Sequence, residues 1–189
     1  MAVKQISAIL LLLLFCCGCS TTLVRFEPEA VRIMEQVSLP TAPLAKALLE
    51  LKGTRVQALN GAWKDHAFSA QCVLKGDGEM LKAVFLAPQM RLATLTLTRP
   101  HAIEFERAPQ IPQSFEPEYA LADLAFVNLE TSALRRAVEP VLQVDDDGSK
   151  RIIRAGASVV AELTRKPGGN LFFRNLQWGY EYELHPISQ

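Results

Sequence analysis

The feature that most restricts this chain is a series of short alternating segments punctuated by turn residues. Five such segments, 55–62, 67–75, 79–86, 91–98 and 102–107, are separated by Lys64-Asp65, Gly76-Asp77-Gly78, Pro88-Gln89 and Arg99-Pro100. Runs of this length broken by Gly, Pro and Asp are the mark of strands joined by tight turns. Alternation is cleanest in Ile103-Glu104-Phe105-Glu106 and legible in Ala93-Thr94-Leu95-Thr96-Leu97-Thr98. Successive strand side chains point to opposite faces, so the pattern specifies an antiparallel sheet with one apolar and one solvated face. The pattern resumes in 151–155, 158–165, 171–177 and 180–185, with Pro167-Gly168-Gly169-Asn170 as a turn. Phe172, Leu176, Trp178, Tyr180, Tyr182 and Leu184 share one parity and are expected on one sheet face. The total is about nine strands.

Between the two blocks the period changes. Pro109, Pro112 and Pro117 make an extended connection. Residues 118–127 then carry Leu121, Leu124 and Ala125 at helical spacing, and 132–142 carry Leu134, Ala137, Val138 and Val141 at i, i+3, i+4 and i+7. Glu130 or Thr131 stands near the start of the second helix, and Pro140 is expected to fray its last turn. A further short helix is expected over 44–51, ended by Gly53. An apolar sheet face must be covered or closed on itself, and these helices are the available cover. The expected fold is mainly β within an α+β class. It is a strongly curved antiparallel sheet, or unclosed barrel, with a helical lid, spanning 44–189.

The N-terminus has a different chemistry. Residues 1–7 carry one cation, Lys4, and an unbroken apolar run from Ala8 to Phe15 precedes Cys16-Cys17-Gly18-Cys19. A charged start, an apolar stretch and a small residue at the cut are an export signal, and the run is far short of the ~20 residues that span a bilayer. Only Cys19 follows a small residue, Gly18. Residues 1–18 are therefore expected to be removed as a lipoprotein signal peptide and Cys19 to be lipidated, although Cys16 stands where an aliphatic residue is usual. A plain export signal with incidental cysteines is the competing reading. Two or more acyl chains anchor stably where one does not. Ser20, in place of the Asp that retains lipoproteins in the inner membrane of enteric-type bacteria, points to the periplasmic face of the outer membrane. Residues 19–43, interrupted by Pro28, Pro40 and Pro43, are expected to form a lipidated tether.

Other function classes find little support. Twenty basic residues balance twenty acidic ones, without the clustered basic face that nucleic acid requires. After processing, only Cys19 and Cys72 remain, and Cys19 is capped, so no internal disulfide can form. Cys72 lies in a strand pattern and reads as a small buried hydrophobe. His66, His101 and His185 have no metal-ligand spacing, and there is no Gly-x-Ser-x-Gly elbow or phosphate-cradling glycine loop. Asp145-Asp146-Asp147-Gly148 lacks the alternate spacing of a calcium loop and reads as a solvated turn. Glu104, Glu106, Glu181 and Glu183 read as a solvated face. No catalytic residue, cofactor or metal is expected.

Three stretches carry a resemblance. Phe85-Leu86-Ala87-Pro88-Gln89-Met90-Arg91-Leu92-Ala93-Thr94-Leu95 is similar to a segment of a family of uncharacterised bacterial lipoproteins, which often has Gly where Met90 stands. Phe115-Glu116-Pro117-Glu118-Tyr119-Ala120-Leu121-Ala122-Asp123-Leu124 resembles the segment before that family's helix, and Asn175-Leu176-Gln177-Trp178-Gly179-Tyr180-Glu181-Tyr182-Glu183-Leu184 its closing strands. Members are often encoded in aryl-polyene pigment clusters and are similar in outline to the LolB and LolA lipoprotein carriers. The resemblance implies an unclosed barrel with a helical lid over an apolar cavity that holds an acyl chain, a lipoprotein or an aryl-polyene lipid. Such a cavity would be lined by Leu95, Leu97, Phe105, Leu121, Leu124, Leu134, Val138, Tyr180 and Tyr182. The same residues would equally fill a packed core, because both use one alphabet. The implied partners are the membrane, through Cys19, and a hydrophobic small molecule or acylated protein. A non-catalytic scaffold of an envelope complex is the alternative.

Overall fold

A computed structural model describes residues 22–63, 66–109, 111 and 116–187. The expected cleavage and lipidation at Cys19 and the Lys64-Asp65 turn lie outside these residues. The chain opens with β1 (Thr22–Phe26), β2 (Ala30–Met34), β3 (Val37–Pro40) and α1 (Thr41–Leu49). Five strands follow: β4 (Lys52–Trp63), β5 (His66–Asp77), β6 (Met80–Ala87), β7 (Met90–Thr98) and β8 (Ala102–Arg107). Two helices, α2 (Pro117–Asn128) and α3 (Thr131–Val138), precede β9 (Gln143–Asp146), β10 (Lys150–Ala155), β11 (Ser158–Arg165), β12 (Leu171–Asn175) and β13 (Tyr180–Pro186). Eleven strands form one antiparallel sheet in the order β1-β8-β7-β6-β5-β4-β13-β12-β11-β10-β9, and β2 pairs with β3.

Among the described residues the strands number thirteen rather than nine. The four unforeseen ones are short, and three lie in the segment expected to be a tether. That segment is folded from residue 22 onward. β1 pairs with β8, with Val24 opposite Phe105, and the β2–β3 hairpin buries Val31, Ile33 and Leu39 in the core. Its prolines do not disrupt it. Pro40 immediately precedes α1 and Pro43 sits in its first turn, where a missing N–H costs no helical bond. The folded domain thus includes β1, β2 and β3, which precede residue 44, and the helix expected over 44–51 starts at Thr41. β9 falls between the helix expected to reach 142 and the turn expected over 145–148. In fact α3 stops at Val138, Glu139 is already extended (ψ 147°), and Pro140 cannot continue a helix.

The shared parity expected for the last strands also fails. Phe173, not Phe172, faces the core, opposite Tyr182. Phe172 lies opposite Glu183 on the outer face, with the Lys166 and Arg174 cations over its ring. Residues 176–179 form a turn, so periodicity cannot be counted through them.

The sheet is open, with β1 and β9 as its edges, and it wraps. α1 lies against β6 and β7, α3 lies against β9, and α1 and α3 pack on each other. β6 and β9 are seven strand spacings apart, about 34 Å if the sheet were flat, whereas packed helices lie only about 8–10 Å apart. Curvature brings both halves onto the same helices. One apolar core results, joining Leu81, Leu95, Leu97, Ile103 and Phe105 from one half to Ile153, Leu163 and Phe173 from the other around Leu121, Phe126 and Leu134.

Candidate functional site

The middle of the wrapped sheet, β4, β5 and β13, carries a second and smaller apolar cluster. Leu59, Cys72 and Leu184 are buried there, with Ala70, Phe85, Val127, Leu171 and Tyr182 half-buried around them. Leu184 and Ala70 flank Leu59 in the ladder, and two residues along each strand Gly61 stands between Tyr182 and Phe68. A Cβ on Gly61 would meet the Phe68 ring at 2.6 Å and the Tyr182 Cβ at 2.7 Å. The Phe68 ring therefore lies across the glycine, a cross-strand arrangement that covers bare backbone. Phe68 is still 38% exposed. An apolar row thus runs along the concave face from Leu184, Leu59 and Cys72 to solvent at Phe68.

Tyr182 joins this row to a buried polar group on α2. Between Glu118 in its first turn and Asn128 at its end, that helix carries one charged side chain, Asp123, which points at the last two strands. Its Oδ2 accepts a 2.7 Å hydrogen bond from the Tyr180 hydroxyl, and its Oδ1 accepts a longer one, 3.4 Å, from Asn175 Nδ2. Asn175 in turn accepts from the backbone N–H groups of Gln177 and Trp178, which shapes the β12–β13 turn. Gly179 closes that turn at φ +68°, in the left-handed region that glycine enters without strain. Burial pushes the Asp123 carboxyl up to about 7, against the pull of hydrogen bonds from Tyr180, Asn175 and Tyr182. Burial, and then the nearby Asp123 charge, raise the Tyr180 and Tyr182 hydroxyls well above the ordinary tyrosine value. The arrangement is a carboxyl that changes charge near neutral pH, held by two phenols at the end of an apolar row. Perturbed groups of this kind cluster at functional sites, although structural networks also perturb them.

Over residues 54–188 the sequence matches a family described as protein of unknown function (DUF3261). The chain belongs to the DUF3261 family. The matched span takes in both clusters just described, while β1, β2, β3 and α1 precede it. No curated protein matches the chain.

Seven of the residues expected to line a cavity in this DUF3261 domain, Leu95, Leu97, Phe105, Leu121, Leu124, Leu134 and Val138, are buried in the main core. Tyr180 and Tyr182 are half-buried and stack with ring centroids 6.4 Å apart. Two surface clefts, of about 470 and 320 Å³, are lined by other and mostly polar residues. The smaller holds Trp178, which stacks on Tyr119 at 4.3 Å and carries the Arg32 guanidinium over its ring at 5.6 Å. Among the described residues no group of three His, Cys, Asp or Glu could hold a metal ion.

Asp145-Asp146-Asp147 departs from the solvated turn expected of it. Asp145 is exposed and pairs with Arg154 at 3.5 Å, and Asp147 accepts from the backbone of Ser149 and Lys150 in a turn. Asp146 is buried. It receives both Arg165 terminal nitrogens at 2.9 Å, Arg151 Nε at 2.8 Å and the Thr131 hydroxyl at 2.7 Å. Arg151, itself 2% exposed, also donates to the Phe126 carbonyl at 2.6 Å. This network pins the end of α2 and the start of α3 to β9, β10 and β11. Asp123 did carry a signal in the sequence, a lone carboxylate inside Ala120-Leu121-Ala122-Asp123-Leu124-Ala125. Nothing local distinguishes Asp146 from its two neighbours.

Proposed function

We propose that this protein is an outer-membrane lipoprotein, held on the periplasmic face by acyl chains on Cys19, that binds or hands over a hydrophobic ligand. The ligand is an acyl chain, an acylated protein or an aryl-polyene lipid, taken up along the concave face of β4, β5 and β13. The observation that carries the reading is the apolar row that ends in a solvent-exposed Phe68. Apolar burial at ~0.8 kcal/mol per CH2 holds such a ligand without catalytic groups. Asp123, Tyr180 and Tyr182 supply hydrogen bonding at the end of the row. The likeness to LolB carriers belongs to the same proposal, and the open, wrapped sheet with helices inside it agrees with that outline. A second reading, a scaffold that docks another envelope protein, draws support from the full burial of the residues expected to line a cavity.

Native mass spectrometry of protein purified from its own host, followed by lipid extraction, separates the two. A co-purifying hydrophobic molecule at near-stoichiometric amount establishes a carrier and names its cargo class. An empty protein that also fails to bind a fluorescent fatty acid removes the carrier reading and leaves the scaffold.

A further inference from the structure

We propose that the β1–β8 edge is the membrane-facing side of the domain, with Leu23 and Val24 seated in the headgroup region of a phospholipid bilayer. The proposal rests on lipidation at Cys19. From the Cα of Cys19 to that of Thr22, where β1 begins, the chain can reach at most about 11 Å, however it runs. A link that short cannot hold a folded domain clear of the membrane. Whatever strand comes first is therefore brought to the lipid surface, and that strand is the outermost one of the sheet.

The surface of β1 suits that position. The described residues include five exposed large hydrophobics, and two of them, Leu23 (60%) and Val24 (39%), are adjacent here. They project to opposite faces of the strand. Val24 stands opposite Phe105 on the concave side, and Leu23 stands opposite Glu106 on the outer side. Arg25, which follows them, is exposed and lies 3.8 Å from Glu104. The other edge strand, β9, is finished differently. It has four residues, carries Asp145 and Asp146, and is backed by α3, the usual means of blunting an exposed edge. Among the described residues no helix backs β1 as α3 backs β9, and a bilayer would provide that cover. Among the described residues no helix is long and apolar enough to cross a membrane, so contact is at the surface.

The test uses the full-length protein, acylated in its host and reconstituted in vesicles of phosphatidylethanolamine and phosphatidylglycerol. A polarity-sensitive fluorophore is attached at Leu23→Cys, at Val24→Cys, or at Glu181→Cys on β13, near the middle of the sheet. Quenchers carried on lipid headgroups are expected to reduce emission at positions 23 and 24 severalfold more than at 181. The mass of the N-terminal peptide, and detergent partitioning of wild type against Cys19→Ser, report acylation separately. An unacylated wild type overturns the anchoring reading and this proposal together. An acylated protein with equal quenching at all three positions overturns the edge assignment alone. Cross-linking of two copies through Leu23→Cys without lipid quenching also overturns it, and gives the edge to a second copy of the chain.

Discussion

Replacing Asp123 with Asn isolates the buried carboxyl, because the substitution keeps its size and its acceptor for the Tyr180 hydroxyl while removing its titration. Burial raises the folded-state value from an ordinary 3.8 to about 7. The folded protein therefore keeps a proton that the unfolded chain gives up between about pH 4 and pH 7. For a raised carboxyl the stabilising contribution is complete below about pH 4 and is lost as pH climbs toward 7. About 3 pH units at ~1.4 kcal/mol each give a loss of about 4 kcal/mol. Urea unfolding of wild type and Asp123→Asn at close intervals from pH 4 to 8 reads this as a difference curve. Contributions from every other group, Asp146 included, are common to both proteins and cancel. The curve is expected to be flat near pH 4, to fall by ~1.4 kcal/mol per pH unit at its steepest, and to level off above pH 7 with wild type about 4 kcal/mol lower relative to the variant than at pH 4. Parallel profiles would refute the argument, and so would a wild type that gains on the variant as pH rises.

Three further outcomes follow from the same geometry. Asp146→Asn leaves the buried Arg151 cation without its charge partner and is expected to cost about 3–5 kcal/mol, read by urea or thermal unfolding. Although burial pushes Asp146 up, its bonds from Arg165, Thr131 and Arg151 hold it below the ordinary carboxylate range. Its contribution is therefore complete above the unfolded value near pH 4 and is lost as pH falls below it, opposite in sign to Asp123. Gly61→Ala would place a Cβ 2.4 Å from the Glu181 carbonyl oxygen. A backbone shift must follow, at about 1–3 kcal/mol in the same assays, and an unchanged stability would count against the close approach. Cys72 is buried, and burial pushes its thiol to about 12. An aromatic disulfide reagent at pH 8 should modify it only in denaturant, whereas rapid reaction with the native protein would contradict its burial.

Local pattern determined much of this architecture. Alternation between Gly, Pro and Asp turns located nine of the strands, with β8 and β11 matching their expected spans, because period two and turn chemistry act over a few residues. Helical spacing likewise found α2 and α3. Short strands whose partners are distant were not legible in this way. β1 makes sense only against β8, about eighty residues on, and the β2–β3 hairpin only against the core it seals. Prolines there suggested a leash because their cost depends on helix position, which local sequence did not supply.

The candidate site divides along the same line. Sequence supplied its materials: a lone carboxylate in an apolar helix, the tyrosines at alternate positions in the last strand, and a cysteine in an apolar strand. Tertiary structure decided that Asp123 meets Tyr180, more than fifty residues away, and that Asp146 rather than either neighbour is the buried member of its triplet. It also decided that Leu95, Leu97 and Leu121 fill a core while Phe68 remains at the surface. The physical reason is that residue type sets what a side chain can do, whereas burial and charge state depend on which distant strands the wrapped sheet brings against it.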